Sequence, residues 1–462
     1  MTEPATLPES APAPMPTVAR AGHAYGIVGL LIAAGLCLGL AHRALGLPLF
    51  AWLGIALLAA GLGRSTTTSG TLTGLLLGGI ADLWVAHPWQ LGSAQLYSGG
   101  SGRITALIVL GFTTAHVLPK WLPVVLAWKV GRRWPTYLWL PLAWATGEWL
   151  RDRLTHLSYN DWLFTQWQVT PVLRAVGHVG WTPALLLCLT AACAAGDAGM
   201  RRSWRIALAP AAVAALLLLL PPLPKAPSDL LASIGAVHMT GFFYPPQGAP
   251  PGIRLLIWPE QANYQRPWLA EGPGHGKKIE APFPPAGVAH LYGLITRQPT
   301  GRQNSAMLVA PDGTVMASRA KVRLFPLLER PLLGLSLPGA FPLVAGQAPA
   351  TLSAPVGAVV SLLCLEGLER DYIEVEARSG ASLIALCANE RVLGHSRLAM
   401  TQFAAVAAVL AADTGLPFVR SSLYGTAAIV DADGTLLAES EPETDGVLTV
   451  AGDVIRHRND PQ

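Results

Sequence analysis

Charge is what this sequence has least of. Only 13% of its 462 residues are Asp, Glu, Lys or Arg, against about 25% in soluble domains. The net charge of +4 is small and scattered, which excludes the basic stripe of a nucleic-acid surface. Cysteines number five, with no C-x-x-C pair among them. That excludes the commonest zinc and dithiol signatures, and no metal or organic cofactor is expected. Cys37, Cys188 and Cys193 lie in apolar runs and read as small core residues. The start lacks the basic segment and cleavage site of a signal peptide, so the first apolar run reads as a retained helix.

What is abundant is apolar surface, at 52% of residues. The charge deficit falls in the first half, where apolar runs recur from Ala24 to Leu220. Seven spans are expected, at 24–41, 46–63, 71–89, 104–128, 136–150, 176–196 and 204–220, set against a requirement of about 20 apolar residues per crossing. The fifth is short. The fourth contains Pro119 and Lys120; membrane helices tolerate proline when neighbours re-satisfy the backbone. Trp84, Trp89, Trp121, Trp128, Trp134, Trp139, Trp144 and Trp149 fall near expected ends, as an interfacial belt would. Arg64, then Lys129, Arg132 and Arg133, then Arg201, Arg202 and Arg205 occupy alternate loops. Those loops are expected in the cytoplasm, which places everything after Leu220 outside. Asp82 lies in an apolar run near its end and reads either as a functional intramembrane carboxylate or as a solvated cap.

Five segments follow from this reading: a disordered tail (1–23), a transmembrane bundle of about seven helices (24–220), a Pro-rich linker (221–230), a second domain (231–452) and a polar tail (453–462). In the second domain short β-like runs appear at 233–238, 254–258, 288–295, 305–309, 358–364, 382–387, 417–420 and 426–430. Helical stretches at 369–379 and 397–412 lie among them. The second is apolar on more than one face and should pack between layers. Strands alternating with helices imply an α/β layered domain. Pro-Asp-Gly at 311–313 and Asp-Ala-Asp-Gly at 431–434 are hairpin turn signals.

Three residues at the ends of β-like runs carry the chemistry: Glu260, Lys321 and Cys364. Thiols attack carbonyls as thiolates. A carboxylate such as Glu260 suits the general base. A lysine such as Lys321 suits stabilisation of the thiolate and of an oxyanion. Glu329 is placed to orient the lysine, or else to pair with Arg330. Glu366, two residues past the cysteine, would share its face if the strand continued, or else belongs to a solvated helix start with Glu369 and Arg370. Cys387 reads as packing, with a disulfide to Cys364 as the alternative. Gly274–Lys278 resembles a phosphate loop but lacks the strand–loop–helix setting, and reads better as a lid.

These residues resemble the Glu-Lys-Cys triad of the nitrilase, or carbon–nitrogen hydrolase, superfamily. The supporting segments are Trp258-Pro259-Glu260, Lys321 through Pro326 to Glu329, Cys364-Leu365-Glu366, Ala388-Asn389-Glu390, Leu398-Ala399-Met400 and Leu416 through Arg420. With Gly147 through Arg151 and the stretch 160–181, the chain resembles the bacterial apolipoprotein N-acyltransferases. That resemblance implies a polytopic α-helical membrane bundle carrying a nitrilase-like α-β-β-α sandwich on the periplasmic side of the inner membrane. It implies a ping-pong reaction: Cys364 takes an acyl chain from a phospholipid, and an amine acceptor, the N-terminus of a lipoprotein, receives it. Several positions depart from that pattern. Leu365 stands where an aromatic is usual, residues 388–394 differ, Leu410 replaces an arginine before Asp413, and a final helix is missing. These departures keep three alternatives open: a conjugal-transfer protein of the TraB type, an amidase using the same triad, and a non-catalytic membrane scaffold.

Overall fold

Helices come first and strands second, as the composition shift near residue 220 foretells. The structure, a computed structural model, describes residues 17–43, 47–201, 203–241, 249–262, 287–332, 334–347 and 349–456. The first half holds α1 (Thr17–Arg43), α2 (Leu49–Arg64), α3 (Thr68–Ala86), α4 (Gln90–Tyr97), α5 (Gly102–Gly131), α6 (Leu140–Thr155), α7 (Thr170–Val179), α8 (Trp181–Arg201) and α9 (Trp204–Leu219). Among the described residues four helices are long and apolar enough to cross a membrane: α1 over Tyr25–Arg43, α3, α5 and α8. The apolar parts of α2 and α9 are shorter. The expected fifth span divides into a 3-10 turn, Thr136–Leu138, and α6, which carries Glu148, Arg151, Asp152 and Arg153. The expected sixth divides at Gly180, whose φ of 86° separates α7 from α8.

Small residues let these helices approach closely. A Cβ on Gly35 of α1 would lie 1.9 Å from the Gly78 carbonyl of α3, the close crossing that glycine permits in apolar bundles. The bundle core is aromatic. Trp121, Trp128 and Trp144 are buried, so they serve packing rather than the expected interfacial belt; Trp134 and Trp149 do face outward. Asp82 is not a solvated cap. It is buried and lies 2.9 Å from the Lys120 ammonium, because an apolar interior admits a carboxylate only with a counter-charge.

Among the described residues the second half opens with α10 (Ser228–Ala232) and builds thirteen strands: β1 (Ile234–Met239), β2 (Leu255–Ile257), β3 (Ala289–Gln298), β4 (Gly301–Val309), β5 (Val315–Ala320), β6 (Thr351–Ala354), β7 (Gly357–Leu363), β8 (Leu383–Asn389), β9 (Phe418–Leu423), β10 (Ala428–Val430), β11 (Leu436–Glu439), β12 (Asp445–Thr449) and β13 (Gly452–Arg456). Two helices, α11 (Arg370–Ala377) and α12 (Arg397–Thr414), complete it. One sheet runs β5-β4-β3-β2-β1-β12-β13 and the other β6-β7-β8-β9-β10-β11. They join where the ends of β1 and β9 pair, at His238–Ser422 and Met239–Leu423.

The two sheets face each other across a shared core. Ala236, Ile257, Leu291 and Leu308 from one pack with Leu363, Ala385, Cys387 and Val419 from the other. Cys387 is therefore a packing residue, and it and Cys364 are free thiols. The outer face of the second sheet packs on α12, which continues into the bundle core; that sandwiching explains its all-round apolar surface. Both expected turns close hairpins, β4–β5 at Ala310–Thr314 and β10–β11 at Asp431–Thr435. The tail expected from residue 453 instead begins as strand: β13 pairs with β12 through Arg456. The described part of the segment between β1 and β2 holds no helix. The Gly274–Lys278 segment and residues 457–462 lie outside the described residues.

Candidate active site

Strand direction brings the site together. β1, β2 and β3 are parallel, β4 reverses, and β5 reverses again. β7, β8 and β9 are parallel and β9 is parallel to β1. Glu260 after β2, Lys321 after β5 and Cys364 after β7 therefore lie at the same, carboxyl end of the sandwich, where α/β folds place ligands.

Glu260 is fixed first through its backbone. Its N–H donates to the Ala388 carbonyl at 3.3 Å, and β3 passes so close that a Cβ on Gly293 would lie 2.6 Å from the Glu260 Cα. Its Oε1 accepts from Asn304 Nδ2 at 2.5 Å and from Lys321 Nζ at 3.2 Å. Lys321 in turn donates its backbone N–H to the Asn304 carbonyl at 2.7 Å. Its ammonium also reaches Glu329 Oε1 at 2.8 Å, while Glu329 Oε2 accepts the Phe325 N–H at 2.7 Å. Glu329 thus pairs with Lys321 and not with Arg330. Burial alone would lower the Lys321 pKa, but the Glu260 and Glu329 carboxylates override it and raise it well above the usual lysine value. Burial raises the Glu260 carboxyl, only partly offset by Lys321 and Asn304.

Cys364 opens a 3-10 turn, Cys364–Leu368, with a φ of 50°. Gln261 (58°), next to Glu260, and Leu327 (69°), two residues before Glu329, share this left-handed backbone, a strained conformation for a non-glycine residue. The Cys364 thiol hydrogen-bonds to Glu260; burial and that carboxylate push its pKa up. Glu260 and Lys321 are buried, whereas Cys364 taken as a whole residue is half-buried. The arrangement is a thiol hydrogen-bonded to a carboxylate, with an ammonium 3.2 Å from that carboxylate.

Glu366 behaves differently from the expectation. The strand ends at Leu363, so alternation no longer applies and Glu366 turns back into the protein, wholly buried. It forms an ion pair with Arg319 and accepts from Val322 N at 2.8 Å and Leu363 N at 2.9 Å. It is a clamp between the segment of Lys321 and the turn of Cys364. Burial would raise its pKa, but Arg319 and the Val322 N–H together hold it below the ordinary carboxylate value.

Sequence reasoning missed Asn304, Arg319 and Tyr97. The first two are buried polar residues inside strands, and a polar residue in the buried part of a strand was the only available signal. Tyr97 ends α4 and comes from the helical half. Its ring lies 6.2 Å from that of Phe325, and α4 is tied to the α/β half by Ser93 Oγ donating to the Val392 carbonyl at 2.5 Å. A second tie joins the bundle to the turn that Cys364 opens: the Ser158 N–H donates to the Leu368 carbonyl at 3.1 Å. A third is Gln402 of α12, which donates to the Ala86 carbonyl at 2.8 Å and accepts from Trp89 Nε1 at 2.9 Å.

Comparison with known proteins follows this geometry. Residues 248–459 match the carbon-nitrogen hydrolase family. Over 196 residues the chain is 27% identical to an apolipoprotein N-acyltransferase from Geobacter metallireducens, covering 39% of this chain and 36% of that protein. The match thus spans little more than a third of that relative's length. Among solved structures, Nit3 of Saccharomyces cerevisiae, described as a member of branch 10 of the nitrilase superfamily, shares 17% identity over 48% of this chain and 91% of its own, with a TM-score of 0.34. A carbon-nitrogen hydrolase from Helicobacter pylori shares 15% over 43% of this chain and 76% of its own, with a TM-score of 0.33. A mutant amidase from Nesterenkonia sp. AN1, with the acetamide moiety of fluoroacetamide bound at its active site cysteine, shares 18% over 50% and 92%, with a TM-score of 0.34.

Proposed function

We propose that this protein is a membrane-bound N-acyltransferase, because residues 248–459 match the carbon-nitrogen hydrolase family and follow helices long and apolar enough to cross a membrane. Its acyl donor is a phospholipid and its acceptor is an amine, the N-terminus of a lipoprotein. The bundle sits in a bacterial inner membrane with the α/β domain on the periplasmic face. The observation that carries the reading is the Glu260–Lys321–Cys364 cluster on the side of the sandwich tied to the bundle, with the ammonium 3.2 Å from the base.

In the first half-reaction Glu260 takes the thiol proton as Cys364 Sγ attacks the ester carbonyl carbon. Lys321 stabilises the oxyanion of the tetrahedral intermediate. The carbon–oxygen bond breaks, Glu260 returns its proton to the leaving alcohol, and a lysophospholipid departs from a Cys364 thioester. In the second, the amine attacks the thioester carbonyl and Glu260 removes its proton. The carbon–sulfur bond breaks, and the thiol is regenerated beside an amide product. Water in place of the amine would give a free acid; the hydrolase family match favours keeping this second reading. Incubating the purified protein with isotopically labelled phospholipid, with and without a peptide bearing an N-terminal amine, separates the two. Transfer predicts labelled amide and little free acid. Free acid released at the same rate with or without the peptide would favour hydrolysis.

A further inference from the structure

A cleft of about 470 Å³ opens where the start of α8 meets α11 and the end of α12, and it lies outside the Glu260–Lys321–Cys364 cluster. Its charged walls come chiefly from α11. Arg370, Glu374 and Arg378 recur every fourth residue and so share one helix face. Asp413 of α12 and Trp181 of α8 face them.

The charges are incompletely used within the protein. The Arg370 guanidinium stacks 4.9 Å above the Trp181 ring and reaches Asp371 at 3.1 Å and Glu374 at 3.7 Å. Its Nε is nevertheless buried without a hydrogen-bond partner among the described residues. Arg378 is mostly exposed and lies 3.4 Å from Glu374. Asp413 has a buried Oδ2 in the same unpartnered state. Burial and the neighbouring Glu374 carboxyl push its pKa up to about 7, only partly offset by the Arg370 guanidinium and the Trp181 N–H. Buried donors and acceptors left unpaired are costly, and a ligand bearing both an anion and an ammonium would satisfy both sides at once.

The surroundings identify the source of such a ligand. α8 is one of the helices long and apolar enough to cross a membrane, and it begins at this cleft. Val179, beside Gly180, and Val375, beside Glu374, are exposed. We propose that the cleft binds the headgroup of a membrane phospholipid carrying both a phosphate and a primary amine, with the phosphate on Arg370 and Arg378 and the ammonium on Glu374 and Asp413. This site is separate from the nucleophile and does not depend on the acyl-transfer reading.

The test uses the full chain carrying Cys364→Ala, so that no lipid is consumed, and counts bound lipid by native mass spectrometry. Phosphatidylethanolamine should be retained about tenfold better than phosphatidylglycerol or phosphatidylcholine, a difference well within headgroup discrimination. Adding Arg370→Gln with Arg378→Gln should remove one bound phosphatidylethanolamine per chain, and Glu374→Gln with Asp413→Asn should erase the preference for the amine. Arg378→Gln alone, on an exposed side chain, gives the same direction of change without disturbing the fold. Equal retention of the three lipids would overturn the proposal, as would unchanged stoichiometry in the arginine variants. Competition by free phosphoethanolamine as strong as by the lipid would overturn its assignment to the membrane.

Discussion

Both halves of this molecule bury charge, and they use it differently. In the bundle, Lys120 meets Asp82 and Arg151 meets Asp161, with the Asn160 carbonyl accepting from both cations. Those groups tie helices to one another and to the loop below the α/β domain. At the strand ends one ammonium, Lys321, faces two carboxylates and a thiol. Burial of charge alone therefore does not mark chemistry. What distinguishes the second cluster is a thiol hydrogen-bonded to one of its carboxylates and carried on a left-handed, strained backbone.

Four perturbations sharpen this contrast. The largest effect belongs to the strand ends: Glu260→Gln should slow acyl-enzyme formation by about 10²–10⁴-fold, the usual worth of a general base, and Cys364→Ala should abolish it, read by single-turnover kinetics. Next, Glu366→Ala should destabilise the α/β half by about 3–5 kcal/mol, because Arg319 is left buried and uncompensated. The parent protein carries a matching acid sensitivity. The Glu366 carboxyl is held below its ordinary 4.5, so its stabilisation is fully present above that pH and lost as the pH falls through the lower folded value. Thermal unfolding of both proteins between neutral and acid pH checks the sign. Asp82→Leu should likewise cost about 3–5 kcal/mol, but Asp82→Leu with Lys120→Met should recover most of it, since an apolar pair replaces a buried ion pair at little loss. Activity should survive that double exchange, whereas no paired replacement of Glu260 and Lys321 should retain it. The smallest effect is expected for Glu329→Gln, roughly tenfold in rate with little loss of stability, because the lysine keeps Glu260 and loses about 1.4 kcal/mol of orientation.

The sequence was most legible where both faces of an element are buried. β7, β8 and β9 are buried over nearly their whole length, and such strands show as continuous apolar runs. β6 and β11 alternate weakly and escaped notice, as did the short helices α4 and α7, where too few turns exist for a periodic signal. Glu260, Lys321 and Cys364 were legible because each follows an apolar run and sits in a family-like context. Glu366 was misread because the left-handed turn at Cys364 ends the alternation that its placement assumed. Asn304 and Arg319 act through contacts between distant strands, which single-chain periodicity does not encode. Asp82 needed its partner Lys120, which is supplied by a different helix.

The most direct measurement is the intact mass of the purified protein after incubation with phospholipid, followed by peptide mapping. The Glu260–Lys321–Cys364 cluster predicts one acyl chain on Cys364 as a hydroxylamine-sensitive thioester, absent from Cys364→Ala and discharged by an added amine. An unmodified Cys364 across a range of phospholipids, in protein that is folded and membrane-embedded, would contradict it.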